Sequence, residues 1–175
     1  MKKLITTLAV ICSSLAFSQN STTLKSNDIV INPVALVLGA VNVEYERIIS
    51  ENSGIGVTTS FLLDDYIIDD NNGFSITPYY NYYFGKKRAN GFYIGGYCSI
   101  NSGDVEKSYY VSSQYGGYTM YTTEKETNFG VGFKFGGKWV VKNDIVLEIG
   151  TGLGRNFGGE NKVNTTGMLG IGKRF

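Results

Sequence analysis

Three carboxylates and three cations are spaced so that extended chain would bring them onto shared faces: Glu44 and Glu46, then Lys134 and Lys138, then Glu148 and Arg174. Residues two or four apart lie on one side of a strand. Glu44 and Glu46 therefore form a carboxylate pair, the raw material of general acid–base chemistry. The sequence contains no histidine, which removes Ser-His-Asp and Cys-His arrangements and histidine metal sites. Three acids matched by three bases in one narrow space read better as a structural plug, because a buried charge without a partner is too costly to keep. The competing reading is a set of charges that lines water in a narrow pore.

Other stretches are weaker candidates for chemistry. "DDYIIDDNNG" clusters Asp64, Asp65, Asp69 and Asp70, which could hold a divalent cation, but the spacing is not that of a calcium-binding loop and a solvated acidic loop is preferred. "GTGLGR" resembles a nucleotide loop only superficially, since no helix follows it and Gly150, Gly152 and Gly154 fit one face of a strand. Arg155 falls on the opposite face. No cofactor, metal site or catalytic residue is expected. "SYYVSSQYGGYTMYTTEKE" carries Tyr109, Tyr110, Tyr115, Tyr118 and Tyr121 among Ser and Thr, the composition of a recognition surface, where Tyr offers contact area at low entropy cost. Gly116-Gly117 between Tyr115 and Tyr118 reads as a two-residue hairpin turn, so the adjoining strands are expected to protrude as a β-hairpin.

These residues must be positioned by strands. Period-two alternation runs through eight segments, 27–35, 39–49, 54–63, 73–84, 91–101, 128–141, 145–157 and 164–175, with no useful helical periodicity between them. In each segment one face is apolar and the other small or polar. Phe129, Val131, Phe133, Phe135, Trp139 and Val141 oppose Gly130, Gly132, Lys134, Gly136 and Lys138. An eight-stranded barrel has an interior just wide enough for side chains. Glycine on the polar face leaves room there for Tyr79, Tyr83, Tyr93 and Tyr97, so the apolar face must point outward. Keeping outward residues opposite one another across "KND" pairs Val141 with Ile145, and hence Lys138 with Glu148.

Aromatics bracket two segments, Phe74 to Phe84 and Phe129 to Trp139. Ten steps at roughly 3.3 Å and a tilt near 40° rise about 25 Å, the height of the apolar band of a transmembrane barrel. Trp139, Phe84, Phe92 and Phe175 fall at one interface, and Phe61, Phe74, Phe129 and Phe157 near the other.

The chain starts "MKKLITTLAVICSSLAFSQN", two lysines before an apolar run and then small residues, which reads as a signal peptide over 1–18. A short periplasmic segment, 19–27, and a barrel domain, 28–175, follow. Removing Lys2 and Lys3 from the 16 basic residues leaves 14 against 15 acidic, so no basic surplus points to nucleic acid. Cys98 is the single cysteine after the signal and has no internal disulfide partner.

The chain ends "GMLGIGKRF", alternating onto Phe175, and this resembles the C-terminal insertion signal of outer-membrane barrels. Together with the leader and the strand count it resembles the small OmpA/OmpX/OmpW type of barrel, and "INPVALVLGAVNVEYERII" looks like the opening of a barrel family of unknown function. The resemblance implies an all-β, eight-stranded antiparallel transmembrane barrel in the cell outer membrane, with short turns in the periplasm. It implies outer-membrane lipid, lipopolysaccharide and the barrel-assembly machinery as partners, with an extracellular ligand at the loops. The expected role is non-enzymatic, the lack of histidine excluding the lipid-modifying barrels of this architecture: structural or surface-binding, with a narrow conduit as the alternative.

Overall fold

A computed structural model describes residues 25–63, 73–113, 116–158 and 161–175. The leader, most of segment 19–27, the aspartates of the acidic loop and Tyr115 lie outside the described residues. Eight antiparallel strands close into a barrel in sequence order: β1 (Asn27–Ile31), β2 (Ala40–Ile48), β3 (Ser53–Leu62), β4 (Phe74–Tyr83), β5 (Gly91–Ser113), β6 (Gly116–Val140), β7 (Ile145–Phe157) and β8 (Val163–Arg174). β8 pairs with β1, from Asp28↔Arg174 to Ile31↔Ile171. Phe175 extends that seam, its N–H donating to Asn27 O (2.8 Å) and its carbonyl accepting from Asn27 N (3.0 Å).

The alternation seen in sequence fixes which face is inside. Tyr79, Tyr83, Tyr93, Glu44, Lys134 and Glu148 are buried, whereas Ile55, Ile94, Phe133, Phe135, Leu153 and Leu169 are exposed, Phe133 to 74%. A Cβ added at Gly56 would stand 2.4 Å from the Tyr79 ring, and one at Gly132 2.6 Å from that of Tyr97. These glycines admit the tyrosines to an interior that would otherwise be too narrow. The β4–β5 ladder passes from Ile76↔Ile100 to Tyr79↔Tyr97 across Pro78, which has no N–H to donate.

The turns follow local chemistry. Val141 N donates to Ile145 O (2.8 Å) around a 3-10 turn at Lys142–Asp144, in which Asn143 (φ 63°) and Asp144 (φ 61°) take the left-handed conformation these residue types tolerate.

Two expectations need correction. The first strand does not reach residue 35: after Ile31 the chain forms a short helix, α1 (Pro33–Val37). Asn32 caps it by accepting from Ala35 N (3.1 Å), and Pro33 suits the first turn. β5 and β6 continue beyond residues 101 and 128 as the expected hairpin, but its turn is displaced, since they pair without interruption to Ser113↔Gly116. Gly116 and Gly117 thus lie within β6 and do not form the reversal. A Cβ at Gly117 would stand 2.0 Å from the hydroxyl of Tyr110, the far end of an exposed side chain that can move aside.

Candidate functional site: a charged barrel interior and a protruding hairpin

The half of the interior nearer the short turns is a charge network. Lys138, fully buried, is its hub. Its Nζ lies 2.9 Å from Glu46 Oε2, 3.0 Å from Glu148 Oε2, 3.4 Å from Glu44 Oε1 and 3.8 Å from Asp28 Oδ2. The Lys138↔Glu148 pairing is the one the turn register demands. Lys138 is not confined to that neighbour: four carboxylates share it. Lys134 pairs with Glu44 (3.3 Å) and sits 3.7 Å over the Tyr79 ring centroid. Arg174 holds Asp28 with two bonds, Nε to Oδ1 (2.7 Å) and Nη2 to Oδ2 (2.8 Å), the strong forked geometry.

The carboxylates are further held by hydroxyls and amides. Glu46 accepts from Tyr79 Oη (3.1 Å), Tyr83 Oη (2.7 Å) and Asn81 Nδ2 (3.2 Å). Thr58 Oγ1 donates to Glu44 (3.0 Å) and Tyr93 Oη to Glu148 (2.9 Å). The tyrosines are therefore part of the network as well as fillers of the space beside the glycines. All six interior residues expected from sequence, Glu44, Glu46, Lys134, Lys138, Glu148 and Arg174, come together. Asp28 was missed, and it corrects the balance among the described residues to four acids against three bases. Its signal was present in the sequence: Asp28 and Val30 alternate with Ile29 and Ile31.

Arg174 also closes the short-turn end. It donates to Arg88 O (2.8 Å) and Ala89 O (2.9 Å), and Ala89, fully buried, packs with Ile48, Tyr83 and Tyr93. Among the described residues the other half of the interior is uncharged. Ser75, Asn101, Ser99, Asn164 and Asn156 form a hydrogen-bonded chain, which Tyr97 joins through Asn164 (2.8 Å). A void of about 10 Å³ lies beside Glu44, Thr58, Tyr93 and Lys134, room for a single water at most.

On the outside the rings form two belts. Phe61 and Phe74 (4.9 Å between centroids) and Phe129 and Phe157 (6.4 Å) gather toward one end. Phe92 and Trp139 (5.8 Å) and Tyr82 and Phe84 (5.4 Å) gather toward the other. An exposed apolar surface this continuous is unsuited to water and fits hydrocarbon.

Beyond the barrel rim β5 and β6 continue as a two-stranded ribbon. Its tyrosines do not form one patch. Tyr109 and Tyr118 share the face that continues the barrel interior, with Met120 and Val111, while Tyr110 and Tyr121 share the face that continues the exterior. All four are exposed, Tyr110 to 73%. The first face is pinned by Glu124, which accepts from Lys107 Nζ (2.7 Å) and Tyr109 Oη (3.3 Å). The Lys107 ammonium, by hydrogen bond and by charge, holds the Glu124 carboxyl below the usual carboxylate range. Because the folded value is depressed, this contribution to hairpin order is present at neutral pH and lost as pH falls through that lowered value. Amide exchange in 105–111 and 118–124 is accordingly expected to quicken below about pH 4, and Glu124→Gln to remove that step.

The closed antiparallel sheet, the inside-out polarity and the two aromatic belts define an eight-stranded barrel of the outer-membrane type. The family described as "Protein of unknown function (DUF3575)" matches residues 5–167, and the chain belongs to it. The fold is similar to the N-terminal β-barrel domain of Pseudomonas aeruginosa OprF, at 12% identity and a TM-score of 0.50, covering 86% of this chain and 98% of that one. It is also similar to the Yersinia pestis outer membrane protein Ail, solved in a phospholipid bilayer nanodisc, at 14% identity and a TM-score of 0.48, covering 87% and 100%. At such identities the likeness is one of fold. The comparison with curated proteins returns no match.

Proposed function

We propose that this chain is exported by a cleaved signal peptide and resides in the outer membrane as a sealed, non-enzymatic barrel that binds at the cell surface through its β5–β6 hairpin. The observation that carries the reading is the ribbon itself. It stays paired from Gly103↔Glu126 to Ser113↔Gly116, past the last rungs of β4 and β7, and it displays Tyr109, Tyr110, Tyr118 and Tyr121 to solvent. A preorganised strand pair loses less entropy on binding than a loose loop. The multiply paired interior charges support a sealed barrel over the narrow conduit, whose water would have to separate them.

The test replaces residues 103–126 by a two-residue turn and displays both forms on Gram-negative cells. Both should show the heat-dependent gel migration of a folded barrel. The full chain should retain cells on a panel of immobilised extracellular proteins, and the shortened one should not. Equal retention by both forms would refute the hairpin's role.

A further inference from the structure

From one aromatic belt to the other, the outward wall of the barrel is almost free of charge. Among the described residues it carries Arg47 on β2, Lys173 on β8 and Arg155 on β7, and no acid. Arg155 belongs to the belt of Phe157. Arg47 and Lys173 stand together at the short-turn belt, on either side of β1, as the registers Asn27↔Arg47 and Ile29↔Lys173 require. Two strand spacings separate them, about 10 Å, a gap that two long basic side chains and one phosphate can close.

Neither cation has a counter-ion in the protein. Among the described acids of this end, Asp144 is held by Lys25 and Asp28 by Arg174, and Glu51 pairs with neither Arg47 nor Lys173. Asn27 turns Arg47 toward the seam, its Oδ1 accepting from Arg47 Nη1 (3.2 Å) and from Tyr45 Oη (2.9 Å). The rest of the guanidinium fork is left for an anion, in the geometry that suits a phosphate.

The wall above these cations suits an acyl chain. Ile31, Leu147 and Ile171 are exposed there, with Ile29 half-buried between them and the belt. β1 then runs out, its last rung on β8 being Ile31↔Ile171. From Lys173 to Leu169, just beyond that rung, β8 extends about 13 Å, within the roughly 15 Å of hydrocarbon that one leaflet contributes. α1 follows β1 at this height and exposes Val34, Leu36 and Val37 to the end of such a chain. A headgroup bearing an ammonium would place a third cation beside two that have no acid to share. We infer that the β2–β1–β8 seam at the short-turn end binds a net-anionic glycerophospholipid, its phosphodiester on Arg47 and Lys173 and one acyl chain along β1.

Ile29 lies between Tyr45 and Lys173 in register, so a fluorophore at that position reports on the seam. Trp139 is the chain's single tryptophan, and the reporter is accordingly Trp139→Phe/Ile29→Trp. It is folded in nanodiscs of phosphatidylcholine containing increasing fractions of a lipid brominated on its acyl chains, which quenches tryptophan on contact. Brominated phosphatidylglycerol is expected to quench at about a tenfold lower mole fraction than brominated phosphatidylcholine, with the preference shrinking at high salt. Arg47→Gln/Lys173→Gln should abolish the preference, Lys173→Arg should keep it, and Lys86→Gln on the β4–β5 turn should leave it unchanged. Equal quenching by the two lipids in the reporter would overturn the site. So would a preference that survives the double substitution, or one that Lys86→Gln reduces as much, which would reveal a diffuse charge effect. Heat-dependent gel migration shows whether each variant is folded. Should the double variant fail to fold, Lys173→Gln alone is expected to lower the preference about threefold, and an unchanged preference would count equally against the assignment.

Discussion

Lys138→Met is expected to destabilise the folded barrel by about 3–5 kcal/mol, the range for removing one member of a buried ion pair. The substitution roughly conserves volume and takes away the cation that stands within 4 Å of Asp28, Glu44, Glu46 and Glu148. Lys134 and Arg174 cannot replace it, because each is already engaged, one with Glu44 and one with Asp28. Glu148→Gln should behave differently. It leaves Lys138 three carboxylates, keeps an acceptor for Tyr93, and brings the interior to equal numbers of acids and bases. Its cost should stay below about 2 kcal/mol, and the double variant Lys138→Met/Glu148→Gln should be more stable than the sum of the single effects. Urea titration in lipid measures all three. Equal costs for the two single variants would contradict the shared-hub arrangement.

The second large effect is steric. A Cβ at Gly150 would stand 2.2 Å from Tyr93 Oη, with the next atoms at 3.3 Å or more. Gly150→Ala should therefore cost about 1–3 kcal/mol, the usual penalty for overpacking. Tyr93→Phe alone loses the bond to Glu148 (2.9 Å) and should cost about 1.5–3 kcal/mol, as for hydrogen bonds to charged groups. In the Gly150→Ala background the same change removes the clash as well, so its cost should fall or reverse. Additive costs would mean that Tyr93 moves freely, contrary to a packed interior.

These interactions were legible in the sequence to different degrees. Strand parity placed Glu44, Glu46, Lys134, Lys138, Glu148 and Arg174 on one side, because a period of two leaves no other choice once the apolar face is assigned. It also fixed Lys138 opposite Glu148, since a short turn transmits register. Parity could not show that Lys138 reaches across the barrel to Glu44 and Glu46, because that contact depends on closure and on strand order around the axis. Asp28 escaped for a simpler reason: it is the second residue of a five-residue strand, too short for alternation to stand out. The hairpin was legible in kind but not in register. "YGGY" is a strong local turn signal, yet the uninterrupted ladder from the barrel carried the pairing past it, to Ser113 opposite Gly116. Local turn preference lost to a long-range register.

The sealed barrel depends on the pairing of its interior charges. Conductance across a planar lipid bilayer holding the purified, folded full chain tests it most directly. A sealed barrel should give no steady channel at any salt concentration, and Lys138→Met should not open one without loss of folding. Steady single-channel currents from the unmodified chain would contradict the sealed interior and show that Glu44, Glu46, Lys134 and Lys138 line water.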